Sequence, residues 1–387
     1  MIEILNTFYK RYKIYFFFFI TVLAIISVSK AFYQAQLISF DFHFSPTKLV
    51  AEGINHYEYI LEGNHDDGPD DKIMYDQNGV YAQGLFVLLI PLTFFSWDNA
   101  KLVWSIINIL LSLIIPYLLC KKFILSKTQS LLIINLFLIS TIFRIHIGYG
   151  QQTLLALIFL VIPFINKSYI SIIFSGISFF KFNIGYVLFL YFLTKKNIKN
   201  IFLSSIPCII GWIAYCYLTD TNLIKNLIQP LSLLMYWDSD KAFPVTIFSL
   251  LKYFDSFPPV LALAIPLILN FFLILKIKDF DDDLCKLSLI CLSALSFMPH
   301  QLHDYILLLP LLIFSIKNFD KMISKINIVF IFYFFYFLRI ISFFYGTQPW
   351  EFPYGIFGYF NNILTLLITL TNLIYFSNFN KINSLKN

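Results

Sequence analysis

The chain has 387 residues, 59% of them hydrophobic and 13% charged, with 46 Phe and 24 Tyr. No water-soluble domain of this size tolerates so much apolar and aromatic surface, so the composition excludes one and points to a polytopic membrane protein. The net charge of +6 is spread over short basic clusters between apolar runs, the pattern of topology determinants, which argues against a nucleic-acid partner.

A helix rises about 1.5 Å per residue and the hydrocarbon core is about 30 Å thick, so about 20 apolar residues make one crossing. About twelve apolar segments stand out, near 14–33, 100–120, 129–146, 152–166, 168–180, 184–194, 200–218, 258–277, 284–299, 303–316, 326–345 and 355–377. The first, Ile14 to Val28, follows Lys10, Arg11 and Lys13 and has no small-residue cleavage site after it. A retained signal anchor is expected.

The stretch from Ser39 to Tyr59, SFDFHFSPTKLVAEGINHYEY, then opens a long polar loop over 34–99. This loop carries Asp41, Glu52, Glu58, Glu62, Asp66, Asp67, Asp70, Asp71, Asp76 and Asp98. Its apolar run 80–97 is read as a helix at the outer interface anchored by Trp97, because a full crossing there would invert every later basic cluster. Threaded this way, Lys121, Lys122, Lys127, Lys167, Lys195, Lys196, Lys199, Lys276, Lys278, Lys286, Lys317, Lys321, Lys325, Lys381 and Lys386 share a side with the N-terminal basic residues. The expected organisation is a single integral membrane domain: a cytoplasmic N-terminus (1–13), the external loop, a transmembrane bundle (100–377) and a short polar cytoplasmic tail (378–387). The loop 219–257, with Trp237, Asp238, Asp240 and Pro244, is expected to be external and interfacial.

Segments 168–180 and 184–194 are each too short to cross, and both have basic outer ends. They read as a hairpin that turns at Lys181-Phe182-Asn183, which sets Lys181 at membrane depth, where a charge needs a partner or a ligand. The alternative is one long bent helix with a snorkelling lysine.

With this threading the unusual polar residues gather on the outer side: Asp41 and His43; Arg144, His146, Gln151 and Gln152; Lys181; His300, His303 and Asp304. Taken singly, each has a structural explanation; convergence from four segments favours a site. His300 and His303 have no further ligands nearby to make a zinc site, and no phosphate-cradling glycine loop is present. The five cysteines fall in or beside apolar runs and read as core packing.

The ordered features resemble the GT-C membrane glycosyltransferases, most closely glycosyltransferase family 87, over roughly residues 14–320. The resemblance rests on Asp41-Phe42 leading to Gly53 and Tyr57; Pro91 followed by Trp104 and Asn108; Gly150-Gln151; Gly176 and Lys181; and Ser296, Pro299, His303, Leu309 and Pro310. Departures are Tyr81-Ala82-Gln83 where the family has Tyr-Pro-Pro, Lys181-Phe182 where it has Lys-Pro, and a late His at a slightly different spacing from its proline, so that His300 competes with His303 for its role.

The resemblance implies an all-α GT-C-like bundle in the plasma membrane, multi-pass, with both termini cytoplasmic and an outward-facing site. It implies transfer of a hexose, mannose above all, from a polyprenyl-phosphate donor to a glycolipid or cell-envelope glycan, with inversion and without a cofactor or obligatory metal. Asp41 is then the general base. Lys181, Arg144, His303 and His300 are the donor-phosphate residues, and Gln151, His146 and Tyr57 the substrate-binding ones. A flippase of lipid-linked saccharide and an O-antigen-type polymerase are the alternatives; the first should carry repeated broken helices, the second a long late loop with arginines.

Overall fold

A computed structural model describes residues 2–38, 43–63, 81–236, 259–298, 300–337, 340 and 356–384, and every regular element among them is helical. Asp41, the segment 64–80 and the stretch 237–258 lie outside the described residues, as do Trp237, Asp238, Asp240, Pro244 and Pro299. The elements run α1 (Ile2–Ile38), α2 (Phe44–Ala51), α3 (His56–Leu61), α4 (Gln83–Leu89), α5 (Trp97–Lys122), α6 (Lys127–Ile139), α7 (Thr141–Tyr149) and α8 (Thr153–Ile165). They continue with α9 (Tyr169–Ser175), α10 (Phe182–Thr194), α11 (Ile198–Leu218), α12 (Leu223–Tyr236), α13 (Pro259–Ile277), α14 (Asp283–Phe297), α15 (Leu309–Lys317), α16 (Met322–Phe332) and α17 (Ile356–Ser384).

Among the described residues, four helices are long and apolar enough to cross a membrane: Tyr12–Leu37 of α1, Trp97–Lys122, Ile198–Leu218 and Phe360–Asn378 of α17. The pair α6 and α7 adds a fifth if taken as one span bent by 58°. Six more apolar helices among the described residues have 10–17 residues, each shorter than the roughly 30 Å of hydrocarbon when laid straight across it.

Small residues decide how α1 packs. Ile20, Ala24, Ser27, Ala31 and Ala35 recur every three or four positions and are buried, while Phe18, Phe19 and Tyr33 on the other faces are exposed. The stripe lets α6 and α7 approach closely enough for the Ser27 hydroxyl to donate to the Leu138 carbonyl (2.6 Å). α14 is buried all round, with every residue from Leu284 to Phe297 inside, Lys286 and three serines included, as expected of a central helix. It starts at Asp282, whose carboxylate accepts from the Leu284 and Cys285 N–H groups (2.7 and 3.2 Å). All five cysteines are free, four of them buried and Cys208 half-buried.

Several expected segments are divided. The run 129–146 is two helices, because Ser140 takes an extended backbone, accepts from the Phe143 N–H (3.1 Å) and donates to the Phe137 carbonyl (2.7 Å). The run 303–316 begins as a 3-10 helix, Leu302–Leu308, before α15, and α16 ends in a π turn, Tyr333–Phe337. The run 80–97 contains α4 followed by a 3-10 turn, Ile90–Phe94, entered through Pro91, and this turn ends before α5 begins at Trp97. The last helix continues through Ser384, so most of the expected polar tail is helical.

The hairpin is real. α9 runs into a 3-10 segment, Gly176–Phe180, and α10 starts at Phe182. Gly185 sits on the backbone of Phe179, where a β-carbon would come within 2.4 Å of the Phe179 Cα. Residues six apart on one continuous helix stand about a turn and a half apart along its axis, so the chain folds back at Lys181 and the long bent helix is excluded.

Glycines also clamp α4 between this hairpin and α11. A β-carbon on Gly211 would lie 2.4 Å from the Gly84 Cα, one on Gly84 would lie 2.3 Å from the Phe180 ring, and one on Gly176 would lie 1.9 Å from the Ser204 carbonyl oxygen. Within the clamp the Ala82 N–H donates to the Phe180 carbonyl (3.1 Å). That bond ties the start of α4 to the residue before Lys181.

Candidate functional site

Lys181, at the tip of the hairpin, has its Nζ 2.8 Å from Asp304 Oδ1, and the two side chains are 3% and 2% exposed. A buried ion pair holds only where further hydrogen bonds satisfy both partners. Lys181 also donates to Thr153 Oγ1 (3.0 Å), and Thr153 donates to the same Asp304 oxygen (2.5 Å). Asp304 Oδ2 accepts the Gln301 N–H (3.1 Å), and His303 Nε2 stands 3.5 Å from Oδ1.

Local sequence explains each placement. Gln301 and Asp304 form a reciprocal cap at the start of the 3-10 helix, which fixes the carboxylate. Thr153 opens α8 directly after α7 because Gly150, with φ of 66°, ends α7 in the left-handed region. The Gly150 carbonyl accepts the Trp104 indole N–H (2.6 Å), which locks this turn to α5.

Histidines surround the pair. His146 Nε2 lies 3.3 Å from Asn108 Oδ1, and its ring centroid is 6.3 Å from that of His303. His300 meets Tyr305 edge-on at 5.2 Å, and Tyr305 stacks on Phe334 of the π turn at 3.8 Å. From the segment after α1, the Tyr81 ring lies 5.6 Å from Lys181 Nζ and the His43 ring packs on it at 4.4 Å. Burial first, then the nearby Lys181 and His56, holds the His43 imidazole well below its usual range, so it is neutral at pH 7. Beneath Tyr81, the Tyr57 hydroxyl donates to its carbonyl (2.5 Å). Tyr215 bonds Asn55 Oδ1 (2.9 Å) and His56 Nδ1 (2.8 Å).

The expected residues thus fall into groups. Lys181, His303 and His146 converge, and Gln151, buried, donates its backbone N–H to the His146 carbonyl (3.1 Å). His300 is buried one contact further out, against Tyr305. Arg144 donates to Thr141 of its own helix (3.0 Å). Tyr57 reaches the site through Tyr81. Asp41 lies outside the described residues; His43, two positions on, is described and faces Tyr81. Sequence reasoning noticed Asp304 but gave it no role, and it did not notice Thr153. Their partner Lys181 is remote in the chain, and no local pattern signals the pairing.

An apolar groove of about 600 Å³ opens between the hairpin, α4, α11, α12 and α13. Its walls include Phe180 and Phe182, the chain neighbours of Lys181, as well as Phe189, Trp212 and Leu231. The Lys181 ammonium itself is turned toward Asp304 and Thr153, while its chain neighbours Phe180 and Phe182 line the hydrocarbon-walled space. Among the described residues no cluster of three or more His, Cys, Asp or Glu has metal-binding geometry. No protein-family model, curated protein or solved structure matches the chain.

Proposed function

We propose that the chain is an integral membrane glycosyltransferase resembling family 87, which moves a hexose, mannose first among them, from a polyprenyl phosphate to a glycolipid or cell-envelope glycan. The observation that carries this reading is the buried Lys181 ammonium at a hairpin tip whose flanking residues, Phe180 and Phe182, line an apolar groove of about 600 Å³. A phosphate-headed lipid has an anion for the first and a chain for the second. In this reading about twelve helices thread the plasma membrane, both termini are cytoplasmic, and the loop 34–99 faces outward.

Asp41 takes the proton of the acceptor hydroxyl as that oxygen attacks the anomeric carbon. The bond from that carbon to the phosphate oxygen breaks with inversion, and its electron pair leaves on the phosphate. Lys181 and His303 donate to the departing phosphate, Arg144 and His300 support the anion site, Gln151 and His146 orient the donor, and Tyr57 shapes the acceptor side. The test is transfer by purified protein from a panel of polyprenyl-phosphate sugars to membrane glycolipid extract, read by mass spectrometry, with Asp41→Asn alongside. Wild type should add a sugar-sized mass that the variant largely loses; equal transfer by both would remove Asp41 from the mechanism.

The broken pair α6 and α7, bent by 58°, gives some support to the flippase reading, since transporters use interrupted helices at their sites. Translocation of a lipid-linked saccharide in liposomes, with no transfer from any donor, would favour it.

A further inference from the structure

Lys181 and Asp304 are unequal partners. Besides the lysine, Asp304 has the Thr153 hydroxyl (2.5 Å) and His303 (3.5 Å) on Oδ1 and the Gln301 N–H (3.1 Å) on Oδ2. Besides the carboxylate, Lys181 has the Thr153 oxygen (3.0 Å) and the Tyr81 ring (5.6 Å). If the lysine swings away, the carboxylate keeps a backbone donor and a hydroxyl; if the carboxylate is removed, the ammonium is left with one hydroxyl and a ring. Their attachments differ too. Asp304 is fixed by the cap of its 3-10 helix, whereas Lys181 carries its charge on a flexible four-carbon stem at a hairpin tip.

An anion reaching Lys181 with Asp304 still 2.8 Å away meets a second negative charge in a buried setting, where repulsion is weakly screened. The other titratable groups facing the pair are His303 and His300 beside Asp304, His146 on α7, and His43 and Tyr81 from the segment after α1. We propose that Asp304 stands in for the ligand's phosphate at Lys181: the ammonium passes from carboxylate to phosphate as the lipid enters, and returns to the carboxylate when the lipid leaves. This rests on the phosphate-headed lipid of the preceding section and extends it. Asp304 becomes the residue that limits how tightly the phosphate is held, and so lets the spent carrier go.

The experiment is binding of farnesyl phosphate and of farnesol to the full-length protein in detergent, for wild type, Asp304→Asn and Lys181→Met. Wild type should prefer the phosphate. Asp304→Asn should bind farnesyl phosphate about tenfold tighter or more, with farnesol unchanged, because the lysine has lost its competing anion. Lys181→Met should lose the preference. A residue that merely holds the fold would not raise affinity for one ligand alone, so unchanged or weaker phosphate binding in a folded Asp304→Asn overturns the inference.

A second measurement on wild type guards against a variant that does not fold. Farnesyl phosphate should shift a carboxylate stretch in the infrared difference spectrum, and farnesol should not; absence of that shift also overturns the exchange. Failure of the underlying reading looks different, since wild type would then bind phosphate and alcohol alike.

Discussion

Gly211→Ala should destabilise the protein by pushing α4 away from α11. The added β-carbon would sit 2.4 Å from the Gly84 Cα, against 3.4–4 Å for ordinary contact, so the two backbones must part by about 1 Å. Overpacking of this kind costs about 1–3 kcal/mol. Replacing glycine by alanine within a helix returns about 1 kcal/mol, leaving a net loss of up to about 2 kcal/mol. Gly148→Ala is the matched control, because its β-carbon would meet Gln34 Cβ at 3.5 Å, an ordinary contact. It also sits in a helix and should be neutral or stabilising by up to about 1 kcal/mol. The assay is unfolding in mixed micelles of wild type and the two variants, and the expected signs are opposite. Equal shifts in the same direction would refute the idea that Gly211 serves the α4 contact.

Three further outcomes are expected. In a double-mutant cycle at the buried pair, Lys181→Met and Asp304→Asn should each cost about 3–5 kcal/mol, the aspartate more than the lysine, while the double variant recovers much of the loss. Additive costs in the double variant would mean that the two side chains do not depend on each other. Asn327 and Asn372 exchange amide hydrogen bonds of 2.9 and 2.8 Å between α16 and α17; Asn372→Leu should cost about 1–2 kcal/mol in unfolding, and Asn327→Leu added to it should cost little more. His43 has its folded-state value depressed, so the unfolded chain binds the proton first. Stability should therefore fall as pH drops through about 6.5, and Asn or Gln at position 43 should flatten part of that fall when melting is followed from pH 8 to 5.5.

Hydrophobic runs made most helices legible, because a buried or lipid-facing helix writes itself as continuous apolar sequence. The runs 100–120 and 200–218 sit within Trp97–Lys122 and Ile198–Leu218. The short hairpin was legible for a different reason: its basic ends and its length left no other course for the chain, and the Lys181 turn follows. Breaks without proline were hidden. Ser140 divides a run with a hydroxyl, and nothing in the composition around it distinguishes that serine from a helical one. Pairings between distant segments were hidden as well. Lys181 announced a need for a partner, yet Asp304 stood among several acids and histidines with equal claim, and only the folded backbone decides which is within 2.8 Å.

The clamp on α4 also orders events in time. Gly84 leaves the ribosome before Gly211, and α5 to α10 lie between them in the chain. At synthesis rates of roughly 5–20 residues per second, the wait is on the order of 6–25 s. Through that interval an apolar segment too short to cross has no groove to lie in. Lys181 waits similarly for Asp304. Desolvating a lone ammonium is costly, so the hairpin tip stays near water until the 3-10 helix Leu302–Leu308 is made. A chain truncated before Leu302 should leave Lys181 open to an amine-reactive label that the full chain resists. A late piece of the bundle is then what draws the charge inside, and the site comes into being only when most of the protein already exists.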